Sequence, residues 1–235
     1  KQPITTYTVR FLQKGWDEER FARSVATLYK ADYRVVVPPF GHFWREILPF
    51  TFLMEEPYHS PNLHTNQLIR RMMRTEGIKM LLNGAAGDEL FAGYPSYFGK
   101  AQVENLLNGR FLPYVNNALH WSQRSSALRA FVMPPLRTLS ESVRHRLPGL
   151  LKSREDYIYK TRCRWASPVT LTKSLYQDVL FTKIPYWMSS GNKMTMGIPF
   201  EHRLPFLDYR MVELAASLPI TYLIRHGWHK WILRK

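Results

Sequence analysis

The sequence has a single cysteine, Cys163, among its 235 residues. One cysteine forms neither an intramolecular disulfide nor a cluster of thiolate metal ligands, so disulfide-stapled secreted folds and zinc fingers are excluded. No stretch reaches the roughly 18 uninterrupted apolar residues of a membrane-spanning helix, and residues 1–6 lack the apolar centre of a signal peptide. We expect a cytoplasmic protein without a membrane partner. Because the chain opens without Met, we also expect it to be an excerpt of a longer polypeptide.

Acidic side chains are scarce: Asp and Glu number 18 against 33 Lys and Arg, which gives a formal net charge of +15. The excess lies in the second half, and residues 105–154 carry eight basic side chains against Glu141 alone. Such a surface suits anionic partners, and a nucleic-acid-binding module is one hypothesis that it raises. The stretch contains neither a recognised nucleic-acid motif nor regularly interleaved aromatic residues, so we expect no nucleic-acid partner.

The first hundred residues alternate between strand and helix patterns. β-branched and aromatic residues predict strands at 5–11 and 33–37, and a short apolar run predicts a third at 78–82. We expect both faces of that third strand to be covered, as in parallel sheets. Helices are expected after the cap residue Asp17 and over residues 41–53 and 62–76. The buried face of the first helix is expected to consist of Phe21, Val25, Leu28 and Tyr29.

This alternation predicts an α/β fold with a parallel sheet flanked by helices. After about residue 95 the strand signals stop, and residues 101–180 have helical patterns that are interrupted by prolines. We therefore expect an α/β part over residues 1–100 and a mostly helical part over residues 101–235.

The third predicted strand runs into a turn of small residues, Asn83-Gly84-Ala85-Ala86-Gly87, and then into Asp88 and Glu89. Ligands of open α/β sheets bind beyond the carboxyl ends of strands, where small residues let them approach the backbone. Two carboxylates would repel a bare phosphate, but they suit a phosphate that carries Mg²⁺. The alternative is that Asp88 and Glu89 only stabilise the start of a helix.

Two later segments also combine charges in a regular way. Glu201 and Arg203 are two residues apart, so they lie on the same side of an extended segment, and Asp208 is placed to cap a following helix. The apolar side of that helix is expected to carry Met211, Val212, Leu214 and Ala215. Near the end, Lys230 and Arg234 are four apart and would share a helix face able to hold a polyphosphate. Salt-bridge, cap and solvated-surface roles are the alternatives for these residues.

Taken together, the three segments resemble the synthetase domain of the asparagine synthetase B family. The resemblance rests on Gly-Asp-Glu-Leu-Phe-Ala-Gly-Tyr at 87–94, Glu-His-Arg-Leu-Pro-Phe-Leu-Asp at 201–208 and Lys-Trp-Ile-Leu-Arg at 230–234. Nearly the whole chain is covered, and the basic stretch 105–154 is matched least. The order of the segments is much more specific than any one of them.

The resemblance implies an adenine-nucleotide α-hydrolase-like (HUP-type) sheet and an AMP-forming ligase. Such an enzyme uses ATP and Mg²⁺ to adenylate a carboxylate, releases pyrophosphate and forms an amide with ammonia or an amine. By similarity, Asp88 is the Mg²⁺ ligand, and Lys230 neutralises the α-phosphate and the departing pyrophosphate. Val9 offers its backbone to adenine, and Gly84 lies beside the nucleotide. Glu89, Glu201, Arg203 and Asp208 support the site.

The resemblance also implies partners. The substrate is a small-molecule or peptide carboxylate, and the full-length chain is expected to carry an N-terminal glutaminase domain. The sequence leaves the oligomeric state open, with a homodimer as one option. Asparagine synthesis is then the default activity.

The sequence departs from the family pattern in two ways. The usual turn is Ser-Gly-Glu-Gly-Ala-Asp-Glu, and here Ala85 occupies the position of its first glutamate. Alanine transfers no proton, which leaves open a cyclase that forms macrolactams or β-lactams, or an inactive pseudoenzyme. The pyrophosphate loop Ser-Gly-Gly-x-Asp-Ser is not found in these residues, nor is a Walker-type loop. We expect this loop shortly upstream of Lys1, and we expect the chain alone to be inactive.

Overall fold

The computed structural model describes residues 4–11, 17–39, 41–58, 60–122, 134–139 and 168–235. The chain divides into two compact units that interleave along the sequence. The first unit comprises residues 1–83 and 187–203, and the second comprises residues 84–186 and 204–235. We describe each unit by itself.

The first unit begins with a strand, a helix and a parallel strand, as the sequence predicts. β1 (Thr5–Val9) pairs with β2 (Asp32–Val36), with Thr5 opposite Asp32 and Val9 opposite Val36. Helix α1 (Glu19–Leu28) connects them, and the Asp17 carboxylate accepts a hydrogen bond from the Glu19 N–H at 3.1 Å. β-branched residues in β1 favour the extended backbone, and the connecting helix permits a parallel pair.

The predicted buried face of α1 is wrong. Its four large apolar residues are all more than half exposed, whereas Glu19 and Ala26 are buried. α1 packs on β1 and β2, and alanine on the contact side permits close approach of helix and strands. Periodicity correctly identified an amphipathic helix but could not determine which stripe faces the strands. The exposed residues are Phe21, Val25, Leu28 and Tyr29.

A second parallel pair consists of β3 (Met80–Leu82) and β4 (Glu201–Arg203), with Met80 opposite Glu201 and Leu82 opposite Arg203. In the described residues this pair is a separate sheet from β1 and β2, so the expected single parallel sheet is seen only as two small ones. The expectation that both faces of β3 are covered is wrong, because Met80 and Leu82 are 44% and 64% exposed.

The core of the first unit lies around α2 (His42–Met54) and α3 (Asn62–Thr75), where Phe50, Met54, Leu63 and Met73 are buried. Arg70 is buried with them, and its Nε has no hydrogen-bond partner among the described residues. Burial lowers the pKa of this guanidinium. Sequence patterns do not indicate a buried cation at this position, because Arg70 is followed by a second arginine that is half exposed.

The second unit is mostly helical in its described residues, and its bounds differ from the expected division of the chain at about residue 100. Its core contains Leu90, Phe91, Tyr97, Phe98 and Leu171, among others. Residues 134–139 are also helical. Its other described helices are α4 (Gly87–Leu90), α5 (Ser96–Leu107), α6 (Phe111–Ser122), α7 (Leu171–Leu180), α8 (Lys183–Gly197, which continues into the first unit), α9 (Tyr209–Ser217) and α10 (Ile220–Leu223).

Short elements complete the second unit. Pro205–Leu207 and Trp231–Arg234 are 3₁₀ helices, and β5 (Ile224–Arg225) pairs antiparallel with β6 (Trp228–His229). Cys163 and much of the basic stretch 105–154 lie outside the described residues. Among the residues that are described, no helix has the length and apolar character needed to cross a membrane.

Candidate active site

The turn between β3 and α4 has the tight backbone that its small residues predict. Ala86 has a φ of 75° immediately before α4, and Ala92 has a φ of 55° just after it. This left-handed conformation is easy for glycine and costly for other residues. The family turn described above has glycine at the position of Ala86, whereas this chain places an alanine in a left-handed backbone there, at some cost in strain. Asp88 and Glu89 are thereby held on a single helical turn.

Asp88 and Lys230 are brought together although 141 positions separate them in the sequence. The Lys230 Nζ lies 2.7 Å from Asp88 Oδ1, and the side chains are 34% and 40% exposed. Lys230 itself has a left-handed backbone, with a φ of 52°. The pair therefore presents a cation and a carboxylate at a surface that a charged ligand can reach.

Gly93 provides the space for this ion pair. A methyl group built on its Cα would lie 1.6 Å from Asp88 Oδ1 and 2.4 Å from Lys230 Cε. Its N–H also donates a hydrogen bond to the Asp88 carbonyl at 2.9 Å. Sequence reasoning placed Gly93 in the motif but assigned it no role, because the requirement depends on Lys230, which is distant in the chain.

Glu89 is directed away from this surface. It is 2% exposed and accepts a hydrogen bond from the Tyr94 hydroxyl at 2.6 Å. Burial and the neighbouring Glu89 carboxylate raise the pKa of Tyr94. The two adjacent carboxylates therefore differ: Asp88 is accessible, and Glu89 is used inside the protein.

A further group of charged and aromatic residues packs behind Glu89; we call Tyr94, Tyr97, Asp178 and Lys183 the Lys183 cluster. The Lys183 Nζ lies 3.9 Å from the centroid of the Tyr94 ring and 2.9 Å from Asp178 Oδ2. Tyr97 is 1% exposed and donates a hydrogen bond to Asp178. Although burial opposes ionisation, hydrogen bonds from Tyr97, Lys183 and Thr182 hold the pKa of Asp178 below its ordinary value.

Sequence reasoning missed the Lys183 cluster. Asp178 is near the end of α7 and Lys183 begins α8, so the break between the helices, not a helical spacing, brings them together. The local sequence signal for the cluster was the three-residue spacing of Tyr94 and Tyr97, whose ring centroids are 5.5 Å apart.

The segment 204–208 packs against the turn between β3 and α4. The Phe206 ring lies close to Gly87, since a Cβ built on that glycine would be 3.3 Å from the ring. Phe206 also packs edge-on against Phe91, with 5.8 Å between the ring centroids. Asp208 caps α9 by accepting the Arg210 N–H at 3.0 Å. Met211, Val212 and Ala215 pack on the core. The prediction for Leu214 is wrong, since it is 51% exposed.

Gly84 also lies at the turn, where a Cβ would be in ordinary contact with Phe206 at 3.8 Å. The other predicted site residues belong to the first unit. Val9 ends β1, and Glu201 and Arg203 lie on the same side of β4 with Arg203 Nε 2.6 Å from Glu201 Oε1. Both of these charged side chains are more than half exposed.

The prediction that Lys230 and Arg234 share a helix face is wrong. Lys230 precedes the short 3₁₀ helix, and Arg234 instead donates its Nε–H to the His229 carbonyl at 2.9 Å. The guanidinium also lies over the Trp228 ring at 5.0 Å. The left-handed backbone of Lys230 breaks the i, i+4 relation that the sequence spacing suggested.

The carboxylates of the turn permit a partial test of the magnesium prediction. No group of three or more His, Cys, Asp or Glu side chains able to hold a metal occurs in the described part of the chain. Mg²⁺ is commonly held by only one or two carboxylates together with substrate phosphates and water. Asp88 fits that donor set because it is partly exposed, whereas Glu89 is committed to Tyr94.

Comparison with known proteins decides the family. The family model described as asparagine synthase matches residues 1–235, which is the whole chain. The chain belongs to the asparagine synthase family. The resemblance drawn from the three sequence segments is therefore confirmed.

Two relatives of this asparagine synthase family chain illustrate the extent of the match. Asparagine synthetase (glutamine-hydrolyzing) 1 of Bacillus subtilis is 25% identical over 256 residues, which cover 99% of this chain and 39% of that protein. The protein named "Putative asparagine synthetase [glutamine-hydrolyzing]" of Mycobacterium tuberculosis is 24% identical over 266 residues, which cover 99% and 38% respectively. The chain thus spans about two fifths of the length of these relatives. No solved structure matches it significantly.

Proposed function

We propose that this chain is part of an ATP-dependent, AMP-forming amide ligase with a HUP-type nucleotide-binding sheet. The observation that carries the proposal is the ion pair between Asp88, just after β3, and Lys230, whose Nζ lies 2.7 Å from it, in a chain of the asparagine synthase family. Adenylation needs a cation beside the phosphates and a carboxylate able to hold a divalent metal. The Lys230 ammonium and the Asp88 carboxylate are both present at one partly exposed place on the surface.

Lys230 is the proposed catalytic residue. In adenylation, a substrate carboxylate oxygen attacks the α-phosphorus while the bond to the bridging oxygen of pyrophosphate breaks. Negative charge builds up on the leaving pyrophosphate, and the Lys230 ammonium is placed to neutralise it. An amine nitrogen then attacks the acyl carbon, the bond from that carbon to the AMP oxygen breaks, and the nitrogen loses a proton to give the amide. Within the resting pair, Asp88 keeps the ammonium in place until phosphate oxygens replace the carboxylate as its partner.

Asp88 is the proposed metal ligand. Bound Mg²⁺ would neutralise phosphate charge at the carboxylate. By the family resemblance, the Val9 backbone and Gly84 bind the adenine nucleotide, while Glu89, Glu201, Arg203 and Asp208 support the site. The contacts of Glu89 with Tyr94 and of Asp208 with Arg210 agree with supporting roles.

Asparagine formation with ammonia from an N-terminal glutaminase domain is the default activity in this proposal. The names of the relatives, both glutamine-hydrolyzing, support it. We place the enzyme in the cytoplasm as a homodimer. Ala85 favours a second candidate, a cyclase that uses an amine of its own substrate, because alanine replaces a glutamate that asparagine synthetases carry near the reacting centre. In either case the substrate is a small-molecule or peptide carboxylate.

Pyrophosphate exchange into ATP tests the proposal, using the full-length protein with aspartate and with other carboxylates. Lys230→Met and Asp88→Asn should each lower the exchange rate by about 100-fold or more, because each removes charge stabilisation at the phosphates. Lys235→Met is the matched control, since it removes a cation from the same segment beside the Trp231 ring.

Three outcomes distinguish the candidates. Exchange that depends on aspartate supports asparagine synthesis, and exchange with another carboxylate and no glutaminase activity supports a cyclase. An absence of exchange with every carboxylate in the folded protein would contradict the proposal and indicate a pseudoenzyme.

A further inference from the structure

The Asp88 turn has little internal support. α4 consists of only four residues, Gly87–Leu90, with left-handed alanines before and after it. A single helical turn is not stable by itself, because nucleation orders several residues for one hydrogen bond. The direction of the Asp88 side chain must therefore be determined by contacts outside α4.

Glu89 provides the anchor. It is adjacent to Asp88 and buried, and the Tyr94 hydroxyl binds its carboxylate at 2.6 Å. A buried carboxylate of this kind rarely leaves its donor, because an unpaired charge in the protein interior is costly. Rotation of α4 would break this hydrogen bond, so the position of Tyr94 determines the position of Asp88.

Lys183 in turn holds Tyr94. Its Nζ lies 3.9 Å above the Tyr94 ring, within the range of a cation–π contact. The same ammonium lies 2.9 Å from Asp178 Oδ2 and donates to the Tyr97 hydroxyl oxygen at 3.1 Å. Thr182 donates to the other Asp178 oxygen at 2.7 Å. Lys183 is thus fixed on one side by Asp178 and faces Tyr94 on the other.

We propose that Lys183 is a positioning residue for the Asp88 turn, acting through the Tyr94 ring and the Tyr94–Glu89 hydrogen bond. It touches neither Asp88 nor Lys230 in the described contacts, so its effect is indirect. The proposal rests on the proposed function only where it concerns the metal and the nucleotide; the ordering of the turn can be measured without either.

Amide hydrogen exchange of the full-length protein without nucleotide provides the first test. The amides of Leu90 and Gly93 report on the turn, because they bond to the carbonyls of Ala86 and Asp88 at 2.9 Å each. In Lys183→Met these amides should exchange about tenfold faster while those of α6 are unchanged. Lys183→Arg keeps the cation and should restore slow exchange. Lys173→Met, which removes an exposed lysine from α7, is the matched control.

Tyr94→Phe provides an independent variant should Lys183→Met fold poorly. It keeps the ring under Lys183 but removes the hydroxyl that binds Glu89, so it should also speed exchange at the turn. Unchanged exchange at Leu90 and Gly93 in both variants would overturn the proposal, as would an equal increase throughout the second unit.

Magnesium titration of ATP binding separates positioning from stability. Lys183→Met should raise the apparent Kd for Mg²⁺ about tenfold with little change in Tm, and Lys183→Arg should recover most of the affinity. An unchanged Mg²⁺ affinity in a variant with a loosened turn would refute the link to the metal. If the wild-type protein binds no Mg-ATP, the proposed function fails, yet the exchange experiment still decides whether Lys183 orders the turn.

Discussion

Gly93 shows how one missing side chain can determine a charged site. The Asp88 carboxylate and the Lys230 ammonium occupy the space above its Cα. Ala86 shows the opposite case, since it adopts a φ of 75° where glycine would be unstrained. The turn therefore needs glycine for space at one position and tolerates alanine in a left-handed backbone at the other.

Gly93→Ala should separate Asp88 from Lys230 without unfolding the protein. The atoms that must move are the ends of flexible side chains, so we expect the free energy of unfolding to change by less than about 1 kcal/mol. Mg-ATP affinity of the full-length protein should fall about tenfold or more, as measured by calorimetric titration.

Gly191→Ala is a suitable control for this substitution. A Cβ there would be in ordinary contact with His202 Nδ1 at 3.6 Å, and the helix interior favours alanine. Mg-ATP affinity equal to wild type in Gly93→Ala would show that the Asp88–Lys230 pair is not part of the nucleotide site.

Helix α9 illustrates which features of an element can be predicted from sequence. Its N-cap Asp208 was predicted correctly, because capping depends on residues only two or three positions away. The exposure of Leu214 was not predicted, because it depends on which side of α9 packs against the core. The same distinction applies to α1, whose existence was predicted and whose buried face was not.

Asp208 makes the stability of α9 dependent on pH. The side chain and then the backbone N–H of Arg210 lower the pKa of this carboxyl from 3.8 to about 2. Folding favours the ionised carboxylate. Its contribution to stability is therefore fully present above pH 3.8 and is lost as the pH falls through about 2. Asp208→Asn keeps a capping side chain but loses the charge.

Urea unfolding of wild type and Asp208→Asn should therefore differ most near neutral pH, where the wild type is more stable, and converge at about pH 2. Glu213→Gln removes an exposed carboxylate from the same helix and controls for the change in net charge. A difference that stays constant down to about pH 2 would contradict the assigned pKa shift.

The whole molecule was identified by the order of three separated segments rather than by its composition. The net charge of +15 suggested polyanions, yet the proposed nucleotide site uses one lysine beside one aspartate. The family match over residues 1–235 shows the family. Because the chain spans about two fifths of the length of the relatives, the activity of the full-length protein is a proposal.

The 235-residue chain should not turn over ATP by itself. Its sequence contains no Ser-Gly-Gly-x-Asp-Ser loop, so in the proposed mechanism only Lys230 and a Mg²⁺ ion held by Asp88 would neutralise the pyrophosphate. We expect no stoichiometric pyrophosphate burst from ATP and aspartate with this chain, and a burst with the full-length protein under the same conditions. A burst from the isolated chain would refute this prediction.

The sequence by itself determined the local features: β1 and β2, the existence of the helices, the small-residue turn, the Asp208 cap and the family. Each of these depends on neighbouring residues or on the order of segments along the chain. Only the tertiary structure decided that Asp88 meets Lys230 over Gly93, that Glu89 is turned inward, that Arg70 is buried and that Lys183 lies against Tyr94. These contacts join residues far apart in sequence, and their geometry follows from packing, which no local pattern encodes.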